Sequence, residues 1–430
     1  MDHIVNEVSG LNLGPREVKL PAELWFRILD CLDNSTVSQL ALVCQQLRVI
    51  AQSLIFKTCV FEAGKHHRSR NKPDSRLNAK LTVKISVLTS PHIAQFLRKW
   101  TLVGGRRNSP AYVAAVCATL PMFPHLDTVH FQSVRMTSTL VSLISAVARK
   151  NPLSLSLISC MTDFPGRSDR QPGSIELGSF LMHNDHIPEY PHDHHWLSLL
   201  RADMLAVLDF ATPHSTASFM FGMAQTRTHF SNLEILHLYL EGLDDIPEED
   251  LISILGTFHS VHTFHIHPSH SYVHTPGRHG PFLLPATTLP RLSSFLGPAA
   301  QAQSYCADRA SIRHLSLYSP GSGRACIYDE LLNPRLPVAP QLASLQLRVA
   351  FPVEDVAREV AVAYPVLRGL RIIAPQATPP PDFQRLLTSL EALTLPPYPR
   401  GPVPGTPPPS GQQPVAPQLD ITVRHGADGG

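Results

Sequence analysis

Cysteine is scarce in this chain and is not arranged for chemistry. Seven cysteines are scattered over 430 residues without a C-x-x-C pair, so neither a disulfide framework nor a zinc ribbon is expected, and the thiols read as reduced and mostly buried. Long apolar runs are missing too. No stretch reaches the roughly 18 consecutive apolar residues that span a bilayer. The opening MDHIVNEVSG also lacks the basic start and apolar run of a secretory leader. These absences lead to the expectation of an intracellular protein, cytoplasmic or nuclear, without a membrane partner. Neither sign of charge dominates: 36 Lys and Arg against 34 Asp and Glu leave a formal +2, which offers nucleic acid no whole-chain attraction. Catalytic signatures are lacking as well. G-x-S-x-G, H-E-x-x-H, a P-loop and a G-x-G-x-x-G opening a helix do not occur, so neither an enzyme nor a cofactor is expected.

What is present begins with LPAELWFRILDCL, residues 20–32, whose three charged residues are Glu23, Arg27 and Asp30. They recur at i, i+4 and i+7 and so share one narrow stripe of a helix. Leu24, Ile28 and Cys31 form one apolar row; Trp25, Leu29 and Leu32 form the next. The apolar arc is wider than a surface helix needs, and such a helix requires cover on two sides. Pro21 suits the first turn, and Glu23 suits the positive end of the helix dipole. In DNSTVSQLALVCQQLRVIAQSLIF, Asn34 or Ser35 can cap a further helix, and Val37, Leu40, Cys44, Leu47, Ala51 and Leu54 follow near-helical spacing. Cys44 falls in that row and reads as a buried, inert thiol. The helical unit of residues 20–56 is too short to bury its apolar faces alone, since chains below about 40 residues need a staple or a partner.

This unit resembles an F-box. The resemblance rests on Leu20-Pro21-x-Glu23-Leu24, Ile28-Leu29-x-x-Leu32 and Leu40-x-x-Val43-Cys44-x-x-Leu47-Arg48; Leu47 stands where many members carry Trp. The family docks this motif on a Skp-type adaptor, which joins it to a cullin in an SCF ubiquitin ligase. The resemblance therefore implies Leu20, Pro21, Leu24, Ile28, Leu29 and Leu32 as adaptor contacts, some of which must also pack inside the unit. It also implies that SLIFKTCVF leads into the first strand of a following domain.

From residue 90 on, one phrase recurs: an apolar residue, two others, an apolar residue, one other, an apolar residue. It is carried by Leu97-Trp100-Leu102, Leu126-Val129-Phe131, Leu233-Leu236-Leu238, Val261-Phe264-Ile266, Ile312-Leu315-Leu317, Leu342-Leu345-Leu347, Leu367-Leu370-Ile372 and Leu390-Leu393-Leu395. Many copies share lead-ins such as FPHL, FSNL and APQL and follow helix-like stretches such as EEDLISILGTF. Each unit reads as a strand, a loop and a helix, with strands stacking into a curved parallel sheet. The phrase resembles the core of a leucine-rich repeat. Residues 88–104 resemble the opening unit of the repeat domain in many fungal F-box proteins. Between 152 and 232 the candidates are weak: Leu177-Phe180-Met182 and Leu205-Leu208-Phe210.

The fold expected is thus α/β: a small N-terminal helical F-box and an irregular leucine-rich-repeat solenoid with outer helices. The divisions are a flexible start at 1–17, the F-box at 18–60, a basic linker or loop at 61–82, the repeat domain at 83–395 and a disordered Pro/Gly-rich tail at 396–430. The linker reading rests on six Lys or Arg with little apolar material in 62–80, and the tail on ten prolines before residue 418. A His-rich insert near 181–196 interrupts the repeats. Its His183, His186, His192, His194 and His195 find no acidic or Cys partner at zinc-site spacing, so no metal is expected there. The acidic EGLDDIPEED reads as a helix opened by Pro247 with Glu248, Glu249 and Asp250 in its first turn.

Residues between the inward apolar positions of the repeats would line the exposed sheet face. They include His130, His237, Tyr239, His265, His267, Tyr318 and Arg348, with Arg371 nearby, and these are the candidate contacts for a target protein. The function expected is a non-catalytic substrate receptor of an SCF-type ligase, with an adaptor, a cullin and an unknown target as partners. The alternatives are an F-box scaffold acting outside a ligase and a metal-binding protein using its histidine clusters.

Overall fold

The computed structural model describes residues 20–62, 75–104, 110–162, 175–184, 195–226, 228–239, 243, 246–267, 283–307, 309–318, 339, 341–348, 360, 364, 367–374 and 420–425. The chain forms two compact units, Met1–Thr226 and Arg227–Gly430.

Unit 1 opens with three helices: α1 (Ala22–Asp30), α2 (Asn34–Leu40) and α3 (Gln45–Ile55). Pro21 enters α1 with its carbonyl accepting from Leu24 N at 3.0 Å, and Glu23 lies in the first turn. The N-cap of α2 is Asp33 rather than Asn34 or Ser35. Its Oδ1 accepts from Ser35 N at 2.8 Å and Thr36 N at 2.9 Å, which satisfies two amides that have no partner inside the helix. The near-helical spacing from Val37 to Leu54 is broken at Ala41–Cys44. There Cys44 takes an extended backbone and its Sγ accepts from Leu47 N at 3.5 Å. The expectation of a buried Cys44 is therefore corrected: the thiol is exposed because it caps α3 instead of joining the apolar row. Leu29, Val37, Ile50 and Ala51 are the buried centre of this bundle, with α1 and α2 packed on α3.

The chain continues into β1 (Thr58–Glu62), α4 (Ser75–Leu88), β2 (Lys99–Val103), β3 (Thr128–Gln132), β4 (Arg135–Met136), β5 (Leu153–Ile158), β6 (Met161–Thr162), β7 (Leu177–His183) and β8 (Val207–Phe210). The sheet order is β1-β2-β3-β5-β7-β8, every pair parallel, while β4 and β6 form a separate parallel pair. Parallel neighbours require crossovers, and the helices Pro110–Cys117, Ser138–Ala148 and His195–Leu199 lie between the strands, while Pro213–Thr226 follows β8. Burial alternates along β5, as one covered face demands. Phe61, Trp100 and Phe131 pack against one another across the first three strands, the first pair tilted and the second edge-to-face, with centroids 5.7 and 5.4 Å apart. At the β1 end of the sheet, Lys84 of α4 donates to the Val60 carbonyl at 2.6 Å and lies 4.9 Å over the Phe61 ring, covering backbone that would otherwise template another strand. Helix α4 begins at Ser75, inside the stretch read as a loop; residues 63–74 lie outside the described residues.

Unit 2 contains β9 (Ile235–Tyr239), β10 (Thr263–His267), β11 (Ser294–Pro298), β12 (His314–Tyr318), β13 (Ser344–Arg348), β14 (Gly369–Ala374) and β15 (Asp420–His425), again parallel and paired in chain order. Helices Glu248–Leu255 and Ala299–Cys306 follow β9 and β11. Pro247 precedes the first, and Glu248, Glu249 and Asp250 fill its first turn, as the acidic stretch implied. Strand β15 falls within 396–430; the Pro-rich residues before it lie outside the described residues.

The recurring phrase marks β2, β3, β9, β10, β12, β13 and β14, and the weak candidates near 177 and 205 mark β7 and β8. Leu390-Leu393-Leu395 lies outside the described residues. Strand β11 escaped notice because its third phrase position is Gly297. The Phe295 ring occupies that space, and a Cβ on Gly297 would stand 2.6 Å from Phe295 Cζ. Near it, the buried Arg309 donates from Nε to the Tyr305 carbonyl at 2.8 Å, from Nη2 to Pro285 O at 2.8 Å and from Nη1 to Leu289 O at 3.0 Å. No helix among the described residues is long and apolar enough to cross a membrane.

Candidate functional site

Helix α1 separates its apolar residues as the two-faced pattern requires. Leu29 is 1% exposed, whereas Leu24, Ile28 and Leu32 are 43, 44 and 38% exposed and follow one another at i, i+4 and i+8. Pro21 extends this row at its N-terminal end and is exposed, while Leu20 is half-buried. Of the six expected adaptor contacts, five keep surface available and Leu29 is a core residue.

The sequence reading missed the most exposed pair. Leu42 and Val43, in the turn between α2 and α3, are 78 and 68% exposed. A single exposed Leu is ordinary, but adjoining exposed hydrophobes are the kind of apolar patch that marks an interaction surface. The available signal was the phrase Leu40-x-x-Val43-Cys44, in which Cys44 stops one helix and starts the next.

Asp33 holds the turn that leads from α1 into α2. Hydrogen bonds from the Thr36 amide and hydroxyl, ahead of that from the Ser35 amide, hold its carboxyl below the ordinary carboxylate range. A lowered folded-state value means the stabilisation is fully present above the unfolded value near pH 4 and lost as pH falls through the folded one. Circular dichroism on acidification should therefore show Asp33→Asn to be less acid-sensitive than the parent, with a lower melting temperature at neutral pH; identical acid titrations would contradict this role.

The face of each sheet carries the other predicted residues. In unit 1, His130 of β3 stands opposite Ser156 of β5, with Nδ1 and Oγ 2.8 Å apart. Burial, and then the charge of Lys99, lowers its pKa, so His130 is neutral at pH 7.

In unit 2, four of the predicted residues come together. His237 of β9 is in register with His265 of β10, and Tyr239 with His267. Ring centroids are 4.8 Å apart for His237 and His265, 4.2 Å for His265 and His267, and 6.2 Å for Tyr239 and His267, the last pair stacked. The three imidazoles are half-buried, and each offers a nitrogen within 4.8 Å of the others. Tyr239 is 5% exposed, so burial of its side chain corrects the expectation of an open contact. Of the His-rich insert, His183 ends β7 and His195 begins the helix His195–Leu199, while His186, His192 and His194 lie outside the described residues.

Tyr318 has an internal task. Ser294 N donates to His262 O, and the two-residue period of a parallel ladder places residue 298 to donate to Ile266 O. Residue 298 is proline and has no N–H. The Tyr318 hydroxyl, reaching across β11, donates to the Ile266 carbonyl instead. Burial pushes its pKa well above the usual tyrosine value. Tyr318→Phe should cost about 1–3 kcal/mol, the penalty for a buried acceptor left without a donor, as measured by urea unfolding of unit 2; an unchanged midpoint would contradict the assignment.

Arg371 is half-buried on β14 in register with Gln346. Arg348 ends β13 opposite Ile373, and its side chain lies outside the described residues.

Buried thiols offer no nucleophile. Burial pushes Cys59 up to about 11 and Cys117 up to about 12, which keeps both protonated and unreactive at neutral pH.

Residues 18–59 match the family model of the F-box domain. No curated protein matches the chain. F-box domains bind Skp-type adaptors, and through them a cullin; members of the family act as substrate receptors rather than catalysts.

Proposed function

We propose, from the premise that residues 18–59 are an F-box domain, that the chain is the substrate-receptor subunit of an SCF-type ubiquitin ligase. The observation that carries this reading is the exposed apolar row of Leu24, Ile28 and Leu32, with Leu42 and Val43 exposed in the same bundle, whose own core is already filled by Leu29, Val37, Ile50 and Ala51. An adaptor covers that row, a cullin joins through the adaptor, and residues 83–395 hold a target protein. The chain works in the cytoplasm or nucleus and touches no reacting bond. It raises the effective concentration of a target lysine near a ubiquitin-carrying enzyme.

A leucine-rich-repeat reading of residues 83–395 is supported by parallel strands in chain order within each unit. It is also supported by the ends of β3 and β5, where Ser133 and Ser159 both take positive φ of 54° and 50°. There Ser133 N donates to Ile158 O at 2.8 Å, and Ser159 N donates to His183 O at 2.6 Å. Equivalent turns bridged by equivalent bonds are what stacked copies of one unit produce.

The test is affinity purification of the tagged full chain from cells. Adaptor and cullin should be recovered together with it, and ubiquitinated proteins should accumulate on it when the proteasome is blocked. Adaptor without cullin would point to a scaffold outside a ligase, and recovery of neither would end this reading.

A further inference from the structure

We propose that His237, His265 and His267 form a three-histidine site for a borderline divalent transition metal, Zn2+ foremost, on the sheet face of unit 2. The proposal is independent of adaptor binding. It begins with strand geometry. Neighbouring strands lie about 4.8 Å apart and side chains two residues apart share a face, so the register of His265 with His237 and the i, i+2 spacing of His265 and His267 place three imidazoles at the corners of a small triangle.

Each offers a nitrogen within 4.8 Å of the others. Zn–N bonds of about 2.0–2.1 Å in a tetrahedral site set the nitrogens about 3.4 Å apart. Small ring rotations close that gap without moving the backbone, because the donors sit at the ends of short side chains on two hydrogen-bonded strands. Ligands on strands are held better than ligands on a loop, which separates this triangle from the histidines near 181–196.

The donor set also selects the metal. Three imidazoles without a carboxylate or a thiolate suit Zn2+, Cu2+, Ni2+ and Co2+ and are poor ligands for Mg2+ or Ca2+, which want oxygen. Tyr318, the nearest phenol across β11, is engaged with the Ile266 carbonyl and stays outside the donor set. Three protein ligands leave a fourth position for water or for a donor from a bound molecule. Tyr239 stacks on His267 and limits the directions that ring can turn.

The experiment uses the full chain, stripped with a chelator and titrated with Zn2+ against a chromophoric competitor and with Co2+ by visible absorption. One Zn2+ per chain is expected, with the strong d–d bands of low-coordinate cobalt. His265→Ala/His267→Ala should weaken the tight Zn2+ by on the order of 100-fold or more and erase those bands, since even outer-shell losses cost 10–100-fold. His259→Ala/His262→Ala, which removes two histidines of the same segment outside the triangle, should leave both intact. His237→Gln tests the other strand should the double variant melt early without metal. Zn2+ bound equally by the parent and by the folded His265/His267 or His237 variants would mean scattered surface histidines, and the proposal would fall.

Discussion

Adaptor binding is expected to be lost when Leu24 and Ile28 are both changed to alanine, while the helical unit stays folded. Both side chains stand more than two-fifths exposed on the same row of α1, so removing them takes little from the core that Leu29, Val37, Ile50 and Ala51 make. In a complex the same atoms would leave water. Central apolar anchors of an interface cost about 2 kcal/mol or more each on truncation, and two of them approach a thousandfold in affinity if their effects add. Leu29→Ala is the contrasting change. It empties a site inside the bundle and should cost about 2–5 kcal/mol of folding stability, so that binding falls only because the unit melts. Calorimetric titration with a purified Skp-type adaptor, run beside thermal unfolding of each variant, separates the two. A Leu24/Ile28 variant that binds like the parent would remove this row from the interface.

Unit 2 should be destabilised by about 3–5 kcal/mol when Arg309 becomes methionine. Arg309 is a buried cation that donates to the carbonyls of Pro285, Leu289 and Tyr305. Leu289 takes a positive φ of 53°, a conformation uncommon for a leucine side chain, and the guanidinium bonds hold the turn that contains it. Methionine keeps much of the volume but supplies no donor. Pro285 O keeps the Thr288 amide and Leu289 O keeps the Leu292 amide. The loss is therefore that of the guanidinium's own charge-assisted bonds, to Ala286 O as well, about 1.5–3 kcal/mol each, with relaxation returning part of the sum. Lysine keeps the charge but presents a compact ammonium where the guanidinium reaches several directions as a fork, so Arg309→Lys should recover little. Hydrogen exchange over residues 283–318 measures the effect; protection unchanged in the methionine variant would show that the turn holds by packing alone.

The strand positions were readable because inward residues of a covered sheet must be apolar and their spacing survives in one dimension. Seven phrases lie on seven strands for that reason. Strand β11 failed the pattern at Gly297, where the space is filled from Phe295 of the same strand, a substitution that linear spacing does not reveal. The two faces of α1 were equally legible, since three charges on one stripe leave the rest to be covered. Which face turns inward was not, and Leu29 went in. Cys44 was misplaced because a thiol in an apolar row and a thiol capping a helix look alike until the backbone turns. The histidine triangle depends on the register between β9 and β10, and Tyr318 on the missing N–H of Pro298. Both are relations across strands, which a sequence states only once pairing is known.

Within each unit, the long strands pair in the order in which they occur in the chain. That order governs how the molecule can be made. Register partners lie from 20 residues apart (Ser294 and His314) to 51 apart (Gly369 and Asp420). Closing such loops costs about 3 kcal/mol of entropy, and because the cost grows only with the logarithm of length the toll changes by less than about 1 kcal/mol from one strand to the next. A unit therefore never has to search for a pairing across its whole length. As the chain leaves the ribosome, N-terminus first, each strand emerges beside the one that will bind it, and the sheet can lengthen at the pace of synthesis.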